Sequence, residues 1–186
     1  MEFVSDRVSI ESSPNGSSVV ISARLPRGKE ALLLGWFLAW LSCGVYVAIE
    51  LARTPPGDMR TFMFAFMAFW AWFAIRIGRV VLWRLKGFEL IRLKEDRFTI
   101  KDSIFGYGRA NEYFVENVQR LGTLEIEESS WKWQLNDSFW VMGGERLGFE
   151  HMGKKVVFGK GLTRQEAERI ALVLDRSFKQ VRRKAQ

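Results

Sequence analysis

The chain has 186 residues, room for one compact domain and a short membrane-embedded part, and its formal charge of +7 suits either nucleic acid or the basic flanks of membrane helices. A single cysteine, Cys43, excludes an intramolecular disulfide and a cysteine-based zinc site, and a single histidine, His151, excludes a His-rich metal centre or a pair of catalytic histidines. The mean hydropathy of −0.06 averages two intensely apolar stretches with a polar remainder.

The first predicted element is a β-hairpin in RVSIESSPNGSSVVISARLP. Val8 and Ile10 alternate with polar residues, Pro14-Asn15-Gly16 supplies turn chemistry, and Val19-Val20-Ile21 restarts a strand. An isolated two-stranded hairpin is marginal in water, so this one is expected to pack on a later part of the chain. Residues 1–28 thus form an N-terminal unit, ended by Pro26-Arg27-Gly28.

From Ala31 to Ile49 the chain reads ALLLGWFLAWLSCGVYVAI without a charge, close to the roughly 20 residues that cross a hydrocarbon core of about 30 Å. The polar residues ahead of it do not fit a cleaved signal peptide. A second run stays uncharged from Thr61 to Ile75, and between the two Pro55-Pro56-Gly57 forbids helix continuation and enforces a reversal. Residues 29–86 therefore read as a transmembrane helical hairpin, with helices at about 31–50 and 61–83. Arg24, Arg27 and Lys29 precede the first helix and Arg76, Arg79, Arg84 and Lys86 close the second, which places both termini in the cytoplasm.

Arg76, Arg79, Trp83 and Lys86 fall on one side of an ideal helix. They form either an interfacial anchor or a stripe that contacts an anionic lipid headgroup or a partner helix. A simple hairpin register sets Glu50 level with Thr61. It brings Gly35 near Arg76, and Glu30 within reach of Arg79 or Arg84.

After Gly87 short strands are expected: FELIRL, the turn KEDR, FTIKDSIF, a bend at GYGR, and a hairpin around Met152-Gly153-Lys154 in GFEHMGKKVVFG. Thr163-Arg164-Gln165-Glu166 has capping-box spacing. Ala167, Ile170, Ala171, Val173, Leu174 and Phe178 mark the buried face of a C-terminal helix. Residues 87–186 are thus a cytoplasmic domain. The whole is an α+β membrane protein: a transmembrane hairpin with a PH-like antiparallel β-barrel or sheet closed by a C-terminal helix.

Three stretches carry a family resemblance: GFELIRLKEDRFTIKDSIFGYGR, FEHMGKKVVFGKGLTRQEAERI and, most tellingly, the strand, glycine turn and capped helix of FGKGLTRQEAERI. With the two-helix hairpin before them, they make the chain resemble a bacterial family of small two-helix membrane proteins with a cytoplasmic PH-like domain. The plan is also similar, more distantly, to that of the photosystem I assembly proteins of cyanobacteria and chloroplasts. The resemblance implies a scaffold, an assembly factor or an attached accessory subunit of a membrane complex in the bacterial inner membrane.

Chemistry-bearing patterns are sparse. In ESSWKWQLNDSFWVMGGERLG, Trp131, Trp133 and Leu135 alternate as on a strand, followed by Phe139, Trp140 and Met142. The segment is either a hairpin that closes the core or an exposed aromatic surface, with Trp131, Trp133 and Trp140 as a partner interface. Gly106-Tyr107-Gly108-Arg109 lacks the spacing of a phosphate loop and reads as a strand bend. His151 and Glu150 are adjacent on a strand and face opposite ways. Scattered carboxylates and Ser129-Ser130 match no catalytic motif, so neither enzyme chemistry nor a cofactor or metal is expected. The basic tail Lys179, Arg182, Arg183 and Lys184 is either a surface for anionic lipid or a frayed, solvated helix end, and suits both better than specific nucleic-acid reading. The expected partners are a membrane protein complex or a second copy of the chain, together with anionic lipid headgroups.

Overall fold

The computed structural model describes residues 2–13 and 16–184. The N-terminal part forms β1 (Glu2–Ser5), β2 (Val8–Ser13) and β3 (Gly16–Ser22), and the expected turn residues Pro14 and Asn15 lie outside the described residues. The helical hairpin follows as α1 (Arg27–Arg53) and α2 (Asp58–Lys86). Next come β4 (Gly87–Lys94), β5 (Arg97–Ile104), β6 (Ala110–Phe114) and, after a 3-10 turn at Val115–Asn117, β7 (Val118–Thr123). A short helix α3 (Trp131–Asn136), the hairpin β8 (Glu145–His151) and β9 (Lys154–Lys160), and α4 (Arg164–Lys184) complete the chain.

All strand pairing is antiparallel, in a six-stranded sheet ordered β1-β2-β3-β4-β5-β6 and a three-stranded sheet β7-β8-β9. The N-terminal hairpin finds the cover it needs by pairing β3 with β4, from Gly16 opposite Lys94 to Ser22 opposite Phe88. The ladder joins the segments before and after the hairpin, so α1 and α2 leave and return to one sheet. Period-2 patterning places Val8, Ile10, Val19, Ile21, Ile91 and Leu93 inward. α4 packs across β3, β4, β7 and β8 with Ile170, Leu174 and Phe178 buried; burying such side chains stabilises by roughly 1.5–3 kcal/mol each. At the centre Phe98 meets Phe149, Phe158 and Phe178 edge-on at centroid separations of 5.4, 5.9 and 5.1 Å.

Local signals behave as their chemistry requires. Thr163 and Glu166 close a reciprocal capping box, Glu166 N–H donating to Thr163 Oγ1 at 3.2 Å and Thr163 N–H to Glu166 Oε2 at 2.8 Å. Met152 and Gly153 turn the β8–β9 hairpin at positive φ. The GYGR stretch is a tight bend in which Ile104 and Tyr107 bridge before β6.

α1 and α2 are both long and apolar enough to cross a membrane, and little of their apolar length is covered by the rest of the chain. They begin and end several residues beyond the apolar runs, because charged residues continue the helical hydrogen bonding at both termini. Only Thr54–Gly57 separate them. The shorter loop slides the two helices past the expected register. Gly44, not Gly35, receives a side chain from the other helix: a Cβ there would lie 1.9 Å from the Trp70 indole. The Trp70 Nε1–H donates to the Trp40 carbonyl at 2.9 Å. α2 runs into β4 without a loop. Gly87 makes that possible, since a Cβ there would fall 2.4 Å from the Trp83 carbonyl oxygen.

Candidate functional site

The residues of the expected arginine stripe part company. Arg76, Arg79 and Lys86 are exposed, but Trp83 is only 2% exposed and belongs to the interior. An ideal 100° step groups all four. The direct α2–β4 junction instead folds the sheet over the last turn of α2, so Val80, Val81, Trp83 and Arg84 all become buried. Trp83 is therefore no outward-facing lipid or partner contact. Arg76 lies over the Trp72 ring, 5.3 Å from its centroid. Gly35 has open space beside it and gives Arg76 no seat. Among the described residues neither Arg79 nor Arg84 forms the expected ion pair with Glu30.

Beneath Trp83 sits a polar cluster that the motif search passes over. Lys160 Nζ lies 5.6 Å from the Trp83 ring and is ion-paired with Asp102. Glu89 is 1% exposed, and its Oε2 accepts the backbone N–H groups of Gly159 and Lys160 at 2.9 Å each. Its Oε1 has no partner among the described residues. Burial pushes the Glu89 carboxyl up to about 7, against the pull of the Lys160 charge and the two N–H donors. Since Glu89 stands on β4 and its donors on β9, the carboxylate bridges the two sheets. Strand parity carries the signal: in GFELIRLK, Glu89 shares the inward face with Ile91 and Leu93.

The aromatic segment departs from the strand reading. Trp131–Asn136 form a helical turn and a half, with Gln134 N–H bonded to the Ser130 carbonyl and Asp137 N–H to that of Trp133. The WKWQL spacing fits a strand period, and Trp131 with Leu135 fits a helical one as well. The segment pairs with neither sheet, and its backbone bonds are local i→i+4 ones. Trp131 and Leu135, four residues apart on one helical face, are 66% and 59% exposed. Trp133 is half-buried, with the Arg146 guanidinium 4.9 Å from its ring centroid. A hairpin that closes the core with these tryptophans is thus overturned.

Trp140 turns back onto the helical hairpin. Its ring meets Trp36 of α1 edge-on at 5.1 Å, Phe139 lies 4.6 Å away, and Trp36 stacks on Trp40 at 5.6 Å. Arg84, 6% exposed, holds the same loop from below, its Nη2 donating to the carbonyls of Val141 at 2.9 Å and Ser138 at 3.3 Å. The structure thus joins Trp140 to α1 and its flanking backbone to α2 through Arg84, and leaves Trp131 uncovered. Sequence reasoning grouped Arg84 with the exposed flank. Its burial follows from the fold-over at Gly87.

The remaining candidates have ordinary positions. His151 ends β8 beside Tyr113, with ring centroids 5.1 Å apart, and Glu150 pairs with Arg120 at 3.0 Å. In the basic tail, Lys179 pairs with Asp175 at 2.6 Å and Arg182 donates to the carbonyls of Val115 and Val118 at 3.2 and 2.5 Å. Among the described residues no three of His, Cys, Asp and Glu gather as a metal site requires. Comparison with protein-family models, curated proteins and solved structures yields no match.

Proposed function

We propose that this chain is a two-pass membrane protein with both termini in the cytoplasm, and that its sheets and α4 form a PH-like domain. Its role is that of a non-catalytic accessory subunit or assembly factor of a membrane protein complex. At 1.5 Å per residue, 27 and 29 helical residues measure about 40 and 43 Å, ample for a hydrocarbon core of about 30 Å. Exposed Leu38, Tyr46, Phe62, Phe69 and Ile75 are the surface expected of lipid-facing helices. The orientation rests on the arginines and lysines at the sheet end of the hairpin.

The observation that carries the role is α3. A helix with Trp131 and Leu135 uncovered is costly in water, yet its chain is pinned to α1 through Trp140 and to α2 through Arg84. Trp36 lies five residues inside the uncharged run, about 7 Å along α1, so the Phe139-Trp140 loop reaches the interfacial belt where aromatic rings are favoured. Such a pinned aromatic surface suits contact with another membrane protein. Affinity capture of the full chain in mild detergent, with mass spectrometry of proteins and lipids, tests this. A stoichiometric membrane-protein partner is expected, lost in Trp131→Ala/Trp133→Ala and kept in an Arg92→Gln control. Capture of the chain alone under conditions that preserve other complexes overturns the role.

A second reading, an anionic-lipid-sensing membrane module, draws support from Arg76, Arg79 and Lys86, exposed and without an ion pair among the described residues. Salt-sensitive binding to anionic vesicles would favour it.

A further inference from the structure

A cleft of about 1130 Å³ opens where both helices meet the sheets. Its walls are the β1–β2 turn, the β3–α1 linker, the end of α2 and the start of α4. Six cationic side chains line it against four carboxylates. Of the four, Glu166 is already engaged by Ser5, Thr163 and Arg7, and Asp137 lies near enough to Arg84 to offset part of its charge.

Two guanidinium groups converge at the floor. Gly161, at φ +64°, leaves room there: a Cβ on it would stand 3.8 Å from Arg84 Nη1 and 3.9 Å from Arg7 Nη1. Each arginine uses its Nη2 on the protein, Arg84 on the Ser138 and Val141 carbonyls and Arg7 on the Gly161 carbonyl at 2.9 Å. Neither Nη1 has an acceptor among the described residues, and the buried Nε of Arg84 is also without one. Two like charges held this close, with donors left over, are an arrangement that an oxyanion would relieve. At the rim Arg24, Arg27 and Lys86 are exposed and form no ion pair among the described residues.

We infer that this cleft binds a phosphate ester, the headgroup of an anionic phospholipid. The Nη1 atoms of Arg7 and Arg84 would meet the phosphate, with the basic rim around it. The inference rests on the reading of α1 and α2 as membrane spans, because that reading sets the cleft beside the headgroup layer. A phosphate oxygen there bonds the Nη1 donors that the protein leaves over, a stronger pairing than a surface lysine offers.

The test uses the full chain purified in mild detergent and moved into nanodiscs of phosphatidylcholine, with phosphatidylglycerol titrated in and bound lipid counted by native mass spectrometry. One phosphatidylglycerol retained per chain is expected, with retention falling at least about tenfold in Arg24→Gln/Arg27→Gln/Lys86→Gln. The same charge change outside the cleft, Arg92→Gln/Arg109→Gln/Lys154→Gln, should leave it intact. Arg7→Gln, which spares Arg84, should weaken retention on its own. Equal retention of the two lipids, or equal loss in both triple variants, overturns the inference. Soluble glycerol 3-phosphate that binds while phosphatidylglycerol does not overturns the lipid assignment. Release of the chain from membranes by alkaline carbonate would instead defeat the membrane reading, so the two failures are separable.

Discussion

The end of α2 and the α3 segment invert the usual placement of residues in opposite ways. At the first, Arg84 and Glu89 are buried beside Trp83. At the second, Trp131 and Leu135 stand uncovered. Buried charge persists where geometry supplies its partners: Arg84 has two carbonyls, and one Glu89 oxygen has two N–H groups. Exposed large apolar side chains such as Trp131 and Leu135 are what a docking surface presents. The first region explains how a long apolar hairpin is joined to a sheet without a loop, and the second is the surface that the proposed partner would cover.

Substitutions separate the two. Trp83→Ala should have the largest effect, about 3–5 kcal/mol lost from the folded domain, because it empties a site 2% exposed at the helix–sheet junction. Denaturant unfolding in mild detergent measures it. Arg84→Met should cost roughly 2–4 kcal/mol, since it strands the Ser138 and Val141 carbonyls. Limited proteolysis should then cut between Asp137 and Gly144, whereas wild type resists; unchanged protection would mean that Trp140 alone holds the loop.

Glu89 gives a smaller effect with a defined sign. Its folded carboxyl titrates near 7, above the ordinary 4.5, so the folded state holds the proton longer and stability falls as pH rises from about 4.5 to 7. The full shift corresponds to about 3 kcal/mol at most. Glu89→Gln keeps an acceptor for Gly159 and Lys160 and should remove that slope, leaving the variant more stable than wild type by roughly 1–3 kcal/mol at pH 8. Parallel pH profiles for the two proteins would contradict it. Glu166 contributes the opposite slope: burial alone would raise its carboxyl, but the hydrogen bonds from Ser5 and Thr163 and the Arg7 charge outweigh it and hold it below the usual range. Its stabilisation is lost as pH falls through that lowered value, in a more acidic window. The smallest change in stability belongs to Trp131→Ala/Leu135→Ala, within about 0.5 kcal/mol, because both side chains are already exposed.

Much of the fold could be read from residue patterns. Two uncharged apolar runs around Pro55-Pro56-Gly57 mark the hairpin, the alternation of Val8 and Ile10 with polar residues marks β2, and Thr163 with Glu166 marks the start of α4. What escaped depends on long-range packing. Trp83 and Lys86 share an ideal helix face, yet only one is covered, because the sheet folds over the helix at Gly87. Trp131, Trp133 and Leu135 satisfy a strand period, while Trp131 and Leu135 alone also satisfy the i, i+4 spacing of a helix, which is the one the chain adopts. Glu89 stood in plain alternation with Ile91 and Leu93, but a carboxylate at an inward position reads as an error until its N–H donors on β9 are known. Of the candidate site, Arg76, Arg79 and Lys86 are exposed, and Trp140 is the aromatic that joins the segment to α1.

The most direct test is photo-crosslinking in intact cells, with a photoreactive side chain at position 131 and, as control, at position 92. Both residues are exposed, but only position 131 lies on the aromatic surface. A discrete crosslink to one integral membrane protein, or to a second copy of this chain, is expected from 131 and not from 92. Lipid adducts alone at 131, or the same products from both positions, would contradict a docking role for α3.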